Sequence, residues 1–200
     1  MVESSGPRFF LSGAIGNKGT RGDDLVVSGV NERLSYSVGQ FHSETDGFRP
    51  NNDLTHDIYH AFIQYAISTT FNVQAELRRR NASYCDLKVA LDPEAFSADE
   101  RHDIEQITSR IGVHSSISPS SDVIISVIHN RRNDDQTVTP GPIITTRLRD
   151  VGYQWEGAYI FRHERFNLVG GVGSYRVDVD RSRRLDFTRA YPEFCVKVGL

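Results

Sequence analysis

Along AISTTFNVQAELRRR (66–80) the chain alternates strictly. Phe71, Val73, Ala75 and Leu77 are apolar, and Asn72, Gln74, Glu76 and Arg78 between them are polar. A period of two places these sets on opposite faces of a β-strand. Related patterns predict strands at 9–15, 24–28, 34–42, 58–67, 71–79, 107–117, 123–130, 151–162 and 166–179, with a weaker tenth at 194–200. Two settings produce such alternation. A sheet in water turns its apolar face to a protein core, whereas a transmembrane barrel turns it to lipid and its polar face to a wet lumen.

The connections bear on this choice. GVNER (29–33), STT (68–70), SPSS (118–121) and HER (163–165) read as tight turns. Between them lie long polar stretches at 43–57, 80–106, 131–150 and after residue 180. Short and long alternate along the whole chain, as they do in outer-membrane barrels, where turns on one side are short and loops on the other are long. Strands of about ten residues at roughly 3.3 Å each, tilted near 45°, cover about 23 Å, close to the ~25 Å apolar band of such barrels. Aromatic residues such as Tyr36, Phe41, Tyr59, Tyr65, Phe71 and Trp155 fall toward strand ends or beside the short turns, as in an interfacial girdle. Aromatic enrichment in strands generally gives a similar picture.

One segment reads as a helix. DPEAFSADERHDIEQI (92–107) carries Pro93 and a capping-box pair, Ser97 and Glu100. The predicted fold is therefore all-β: an antiparallel up-and-down meander of about ten strands, forming an outer-membrane-type barrel or an open fragment of one, with one short helix in a long loop. The chain is read as a single barrel domain over 1–200, with 8–180 as the barrel region and 181–200 as a tail.

Composition narrows the function classes. A net charge of −3 gives no electrostatic hold on nucleic acid. Mean hydropathy is −0.42, and no stretch approaches the ~18 apolar residues of a membrane helix, which leaves a barrel open. Cys85 and Cys195 have neither zinc-site spacing nor a disulfide framework, and a single bridge between them stays open. The start MVESSGPRFFLSGAIG has no secretory pattern, which favours a soluble alternative: a barrel or sandwich binding a small ligand inside.

Candidate chemistry is sparse. His56 and His60 stand four apart, about 13 Å on a strand, too far to share a metal. GGVGS (170–174) opens no helix, so it reads as a bend, bulge or close-packed strand rather than a phosphate loop. The Asp and His residues of NNDLTHD (51–57) lack any catalytic signature, and neither a catalytic residue, a metal nor a cofactor is expected. The polar row carries the functional expectation. In a barrel, His60, Gln64, Gln74, Glu76, Arg78, Thr108, Arg110, Gln154, Glu156 and Arg162 face the lumen, with Glu76 pairing Arg110 and Glu156 pairing Arg162. Ile63, Tyr65, Ile67, Phe71, Val73, Ala75, Leu77, Ile111, Val113, Val123, Ile125, Val127, Trp155, Tyr159 and Phe161 then face lipid.

The tract GQFHSETDGFRPNNDL (39–54), followed by two amphipathic strands and a tight turn, resembles a barrel segment of large Gram-negative outer-membrane proteins. The similar families are TonB-dependent-receptor-like barrels and the barrels that follow tetratricopeptide repeats, over roughly 9–179. The resemblance implies an outer-membrane location and a passive transport, export or receptor role, with ligand contact through long extracellular loops. Its implied partners are outer-membrane lipid and a plug or tetratricopeptide-repeat region. Neither a plug nor a repeat is present in these 200 residues, which implies a fragment or a reduced relative.

Overall fold

The computed structural model describes residues 6–88, 96–139 and 143–186. They form nine strands: β1 (Gly6–Ile15), β2 (Arg21–Asn31), β3 (Leu34–Thr45), β4 (Leu54–Ala66), β5 (Phe71–Tyr84), β6 (Glu100–Ser118), β7 (Ser121–Val138), β8 (Ile143–His163) and β9 (Phe166–Asp186). All nine lie in one antiparallel sheet in chain order. The all-β meander read from the sequence is the observed architecture. The expected tenth strand at 194–200 lies outside the described residues.

Among the described residues each strand contacts only its sequence neighbours, and no second layer of them packs on either face. The two faces differ sharply. The row Tyr36–Ile63–Ala75–Ile111–Val127–Trp155 runs apolar across six strands. These side chains remain open: Ile63 is 49% exposed, Ile111 66% and Trp155 48%. On β4 exposure alternates, with Tyr59, Ala61, Ile63 and Tyr65 exposed and His60, Phe62 and Gln64 half-buried. Among the described residues the only buried apolar side chains are Ala82, Cys85 and Ile104, far too few for a sandwich core.

Strand tilt follows from the register. Leu34, Phe71, Ser121 and Phe166 mark the short-turn ends of β3, β5, β7 and β9. Traced through the pairings, each lies one two-residue row below the one before. A slip of two residues for every two strands is about 3.3 Å along the chain per ~4.8 Å across it. Placing all four turns at one level therefore requires strands tilted roughly 35°, within the range of membrane barrels.

Two expectations are corrected. Residues 100–107 are not helical, because Glu100 begins β6 and its carboxylate is held by Lys88, His102 and Gln136. Among the described residues there is no helix, and 92–95 lie outside them. The stretch read as a long loop at 131–150 is mostly strand, since β7 continues to Val138 and β8 begins at Ile143. Both faces are polar there, so the alternation that marks a strand vanishes, yet cross-strand pairs such as Arg147 with Asp135 continue. The alternation of short and long connections holds only in part: 32–33, 67–70, 119–120 and 164–165 lie at one end and 16–20, 46–53, 85–99 and 139–142 at the other, but 139–142 is no longer than 67–70.

Candidate functional site

The register fixes a face for every residue singled out, because directly paired residues of an antiparallel ladder share a face. Ile63, Tyr65, Phe71, Val73, Ala75, Leu77, Ile111, Val113, Val123, Ile125, Val127, Trp155, Tyr159 and Phe161 fall on one face. His60, Gln64, Gln74, Glu76, Arg78, Thr108, Arg110, Gln154, Glu156 and Arg162 fall on the other. Ile67 lies just past the end of β4.

The polar face holds a continuous bonding pattern through its middle. Arg110 Nη1 lies 3.4 Å from Glu76 Oε2, the ion pair expected from the sequence. Thr108 and Gln106 both donate to Asn130 Oδ1 at 2.8 Å. The expected Glu156–Arg162 pair does not form. Six residues along one strand separate the two by about 20 Å. Glu156 instead accepts from Ser126 at 2.9 Å, and Arg162 pairs with Asp122 across β7 and β8. Asp122 also accepts from Ser116 at 2.6 Å and lies 3.0 Å from His114 Nε2. Sequence reasoning missed this cluster, whose Asp122 and Arg162 come together over forty residues of chain.

The short residues of this face are filled by their neighbours. A Cβ on Gly39 would lie 2.5 Å from His60 Cε1, and one on Gly112 would lie 2.8 Å from Gln74 Nε2. Both glycines let a longer polar side chain cross over the backbone. GGVGS is regular ladder in β9, in which a Cβ on Gly171 or Gly173 would lie under 3.0 Å from a carbonyl oxygen of β8.

Where the long connections meet the sheet, a buried charged tie joins 46–53 to 85–100. Asn52 donates to the Asp86 carbonyl at 2.6 Å, and Asn51 donates to the Ser97 carbonyl at 2.6 Å and the Glu100 carbonyl at 3.2 Å. Asp86 accepts from the backbone N–H of Ser97 and of Lys88, with Arg49 beside it at 3.5 Å. Burial pushes the Asp86 carboxyl up, but those hydrogen bonds and the guanidinium together hold it below its ordinary range. Glu100 is held low chiefly by the Lys88 ammonium at 2.7 Å, against burial, with His102 helping at 3.0 Å. The same contact with Glu100 raises Lys88. His102 stacks on Tyr84 with ring centroids 4.8 Å apart. Cys85, 1% exposed, is disulfide-bonded.

The Asp and His residues of NNDLTHD do not act together. His56 lies on the polar face, where it accepts from Arg80 Nε at 2.9 Å, and burial and that cation keep it below its ordinary pKa. Asp57 lies on the opposite face, 2.7 Å from His42 Nδ1. Arg21 and Asp23 of RGDD are engaged with Glu44 and Gln40 on that same face.

No family model matches the chain, and no curated protein matches it. Its fold is similar to that of the copper transporter OprC. The TM-score is 0.74 at 12% identity, over 90% of this chain and 29% of that one. The likeness is one of fold, and the chain spans under a third of that transporter's length.

Proposed function

We propose that these residues form part of the wall of an outer-membrane β-barrel, with a passive transport or receptor role. The observation that carries this reading is an amphipathic sheet whose apolar face stays open, with no second layer among the described residues, while its opposite face holds hydrogen bonds and ion pairs such as Glu76–Arg110 and Thr108–Asn130. Water would strip no such face of its penalty, whereas hydrocarbon would. The tilt of roughly 35° and the fold likeness to a transporter support the same reading. So does an apolar hollow of about 390 Å³ on the open face, lined by Leu25, Val27, Val38, Ala61 and Leu77, which suits an acyl chain.

In this reading the fourteen residues of the apolar face meet lipid, and the Glu76–Arg110 and Asn130 networks line a hydrated lumen. The connections at 46–53 and 85–99 stand at the outer mouth, braced by the Asp86–Glu100 tie, and make the first ligand contacts. A TonB-dependent mode, a Gram-negative source and a plug belong to the proposal as the partner features such a barrel would use. The copper in OprC's name is not carried over: among the described residues no three His, Cys, Asp or Glu side chains gather to hold a metal ion.

Fractionation tests the reading. The expected result is a protein that sediments with outer membranes, resists carbonate, dissolves in detergent and migrates differently before and after heating. Recovery in the aqueous supernatant, with no effect of heating on migration, would refute it.

A further inference from the structure

Two arginines on the polar face have no carboxylate to answer them. Arg78 and Arg80 stand two residues apart on β5, about 6.6 Å along the strand. Elsewhere in the sheet arginines meet carboxylates across strands, as Arg21 meets Glu44, Arg147 meets Asp135 and Arg162 meets Asp122. Among the described residues Arg78 and Arg80 make no such pair, and Arg80 donates instead to the His56 ring at 2.9 Å. The register explains why. The row Gly39–His60–Arg78–Thr108–Asn130–Gly152 holds no carboxylate. In the row through Arg80 the nearest ones, Asp24 on β2 and Asp150 on β8, each lie three strands away, about 14 Å. Glu76, one row below Arg78, is taken up by Arg110, and Asp134, one row above Arg80, by Arg132.

Those two arginines widen the patch. Arg132 shares the row of Arg80 at two strands' distance, about 9.6 Å, and Arg110 lies one strand and one row from Arg78, about 8 Å. Positive charge thus gathers on one part of the polar face, in a chain whose net charge is −3. His56 registers it: burial first, then Arg80, then Arg78, hold its pKa down. Neutral donors stand among the charges. Asn130 Oδ1 is filled by Gln106 and Thr108, which leaves the Asn130 amide N–H groups without a protein acceptor among the described residues. Arg78 stands seven residues above Phe71 at the short-turn end, about 19 Å up the wall and below the connections at 46–53 and 85–99.

We infer that Arg78, Arg80, Arg110 and Arg132 form a binding site in the lumen for a small solute carrying two or more phosphate or carboxylate groups. Planar guanidinium forks match both oxyanions, and their spread over two strands' width favours charge at two points of the solute over a single anion. The inference rests on the barrel reading above, to which it adds the class of solute.

Calorimetric titration of the membrane-extracted protein in detergent tests it, with pyrophosphate, citrate and uncharged maltose as probes. One or both anions should bind saturably and more weakly as salt is added, and maltose should not bind. A response to pyrophosphate alone or to citrate alone assigns the anion. Arg78→Gln with Arg80→Gln should weaken anion binding about tenfold or more. Arg79→Gln, between them but on the opposite face and paired with Glu105, should leave it unchanged. Arg78→Lys with Arg80→Lys keeps the charge but not the fork, and should lose a smaller part of the affinity. Anion binding untouched by the Gln pair, an equal loss with Arg79→Gln, or equal binding of maltose would overturn the inference. So would a membrane-embedded chain that binds neither anion. Recovery of the protein in the aqueous fraction would instead defeat the barrel reading itself.

Discussion

Ile125 offers the sharpest mutational test, because the register gives its depth. On the apolar face of β7 it lies four residues from Ser121 at the short-turn end and four from His129 on the other side. At about 3.3 Å per residue and a tilt of roughly 35°, each interval spans about 11 Å along the membrane normal. Ser121 to His129 then covers ~22 Å, close to the ~25 Å apolar band of outer-membrane barrels. Ile125 is thus at the midplane, 47% exposed and flanked by Val113 and Gly157. Ile125→Arg should cost about 2–4 kcal/mol when unfolding is followed by guanidinium titration from lipid. Its neighbour Ile124 points to the polar face, opposite Ala158, so Ile124→Arg should cost no more than about 1 kcal/mol. If Ile125 faced water, both substitutions would fall within about 0.5 kcal/mol of zero. Equal costs at the two positions would refute the assignment of faces.

The charged tie yields the remaining predictions. Glu100→Ala removes the acceptor for Lys88, His102 and Gln136 and should cost about 1–3 kcal/mol. Hydrogen exchange should show the loss at 46–53 and 96–100, with the amides of β4 and β5 unchanged. Asp86 and Glu100 have folded pKa values below their unfolded ones, so their contribution is present above about pH 4 and lost as the pH falls through the lower folded values. Lys88 is raised, so its share is full below about pH 10 and lost only above that. Proteolysis within 46–53 should therefore accelerate below pH 4, under an acid-active protease, while the sheet stays resistant. Gly47 has φ of +74°, and a Cβ there would lie 2.2 Å from the Asn52 carbonyl oxygen. Gly47→Ala should cost about 1–3 kcal/mol, read as faster exchange of Phe48 and Asn52.

Strand identity was legible where one face is apolar. The patterns at 71–79 and 123–130 lie within the observed β5 and β7, starting at or near their first residues. Their far ends were not legible, because above the apolar band side chains such as Arg132, Asn133, Asp134 and Asp135 are polar on both faces. No period survives there, although the ladder continues through pairs such as Asn133 with Arg149. The Ser97–Glu100 pattern suggested a helix from local spacing alone, whereas Lys88, His102 and Gln136 hold Glu100 in a strand. The Glu76–Arg110 pair was foreseeable from neighbouring strands. The Asp122–Arg162 pair was not, because it depends on the register between β7 and β8, which hairpin length and long-range packing set together.

The central claim concerns the medium that touches the apolar face, and the chain carries a natural reporter of it. Trp155 is its single tryptophan, half-exposed and in the row with Ile111 and Val127. With the protein in vesicles of brominated phospholipid, Trp155 emission should be blue-shifted, strongly quenched by the bromines and insensitive to aqueous iodide. Red-shifted emission that iodide quenches and brominated lipid leaves alone would contradict the account.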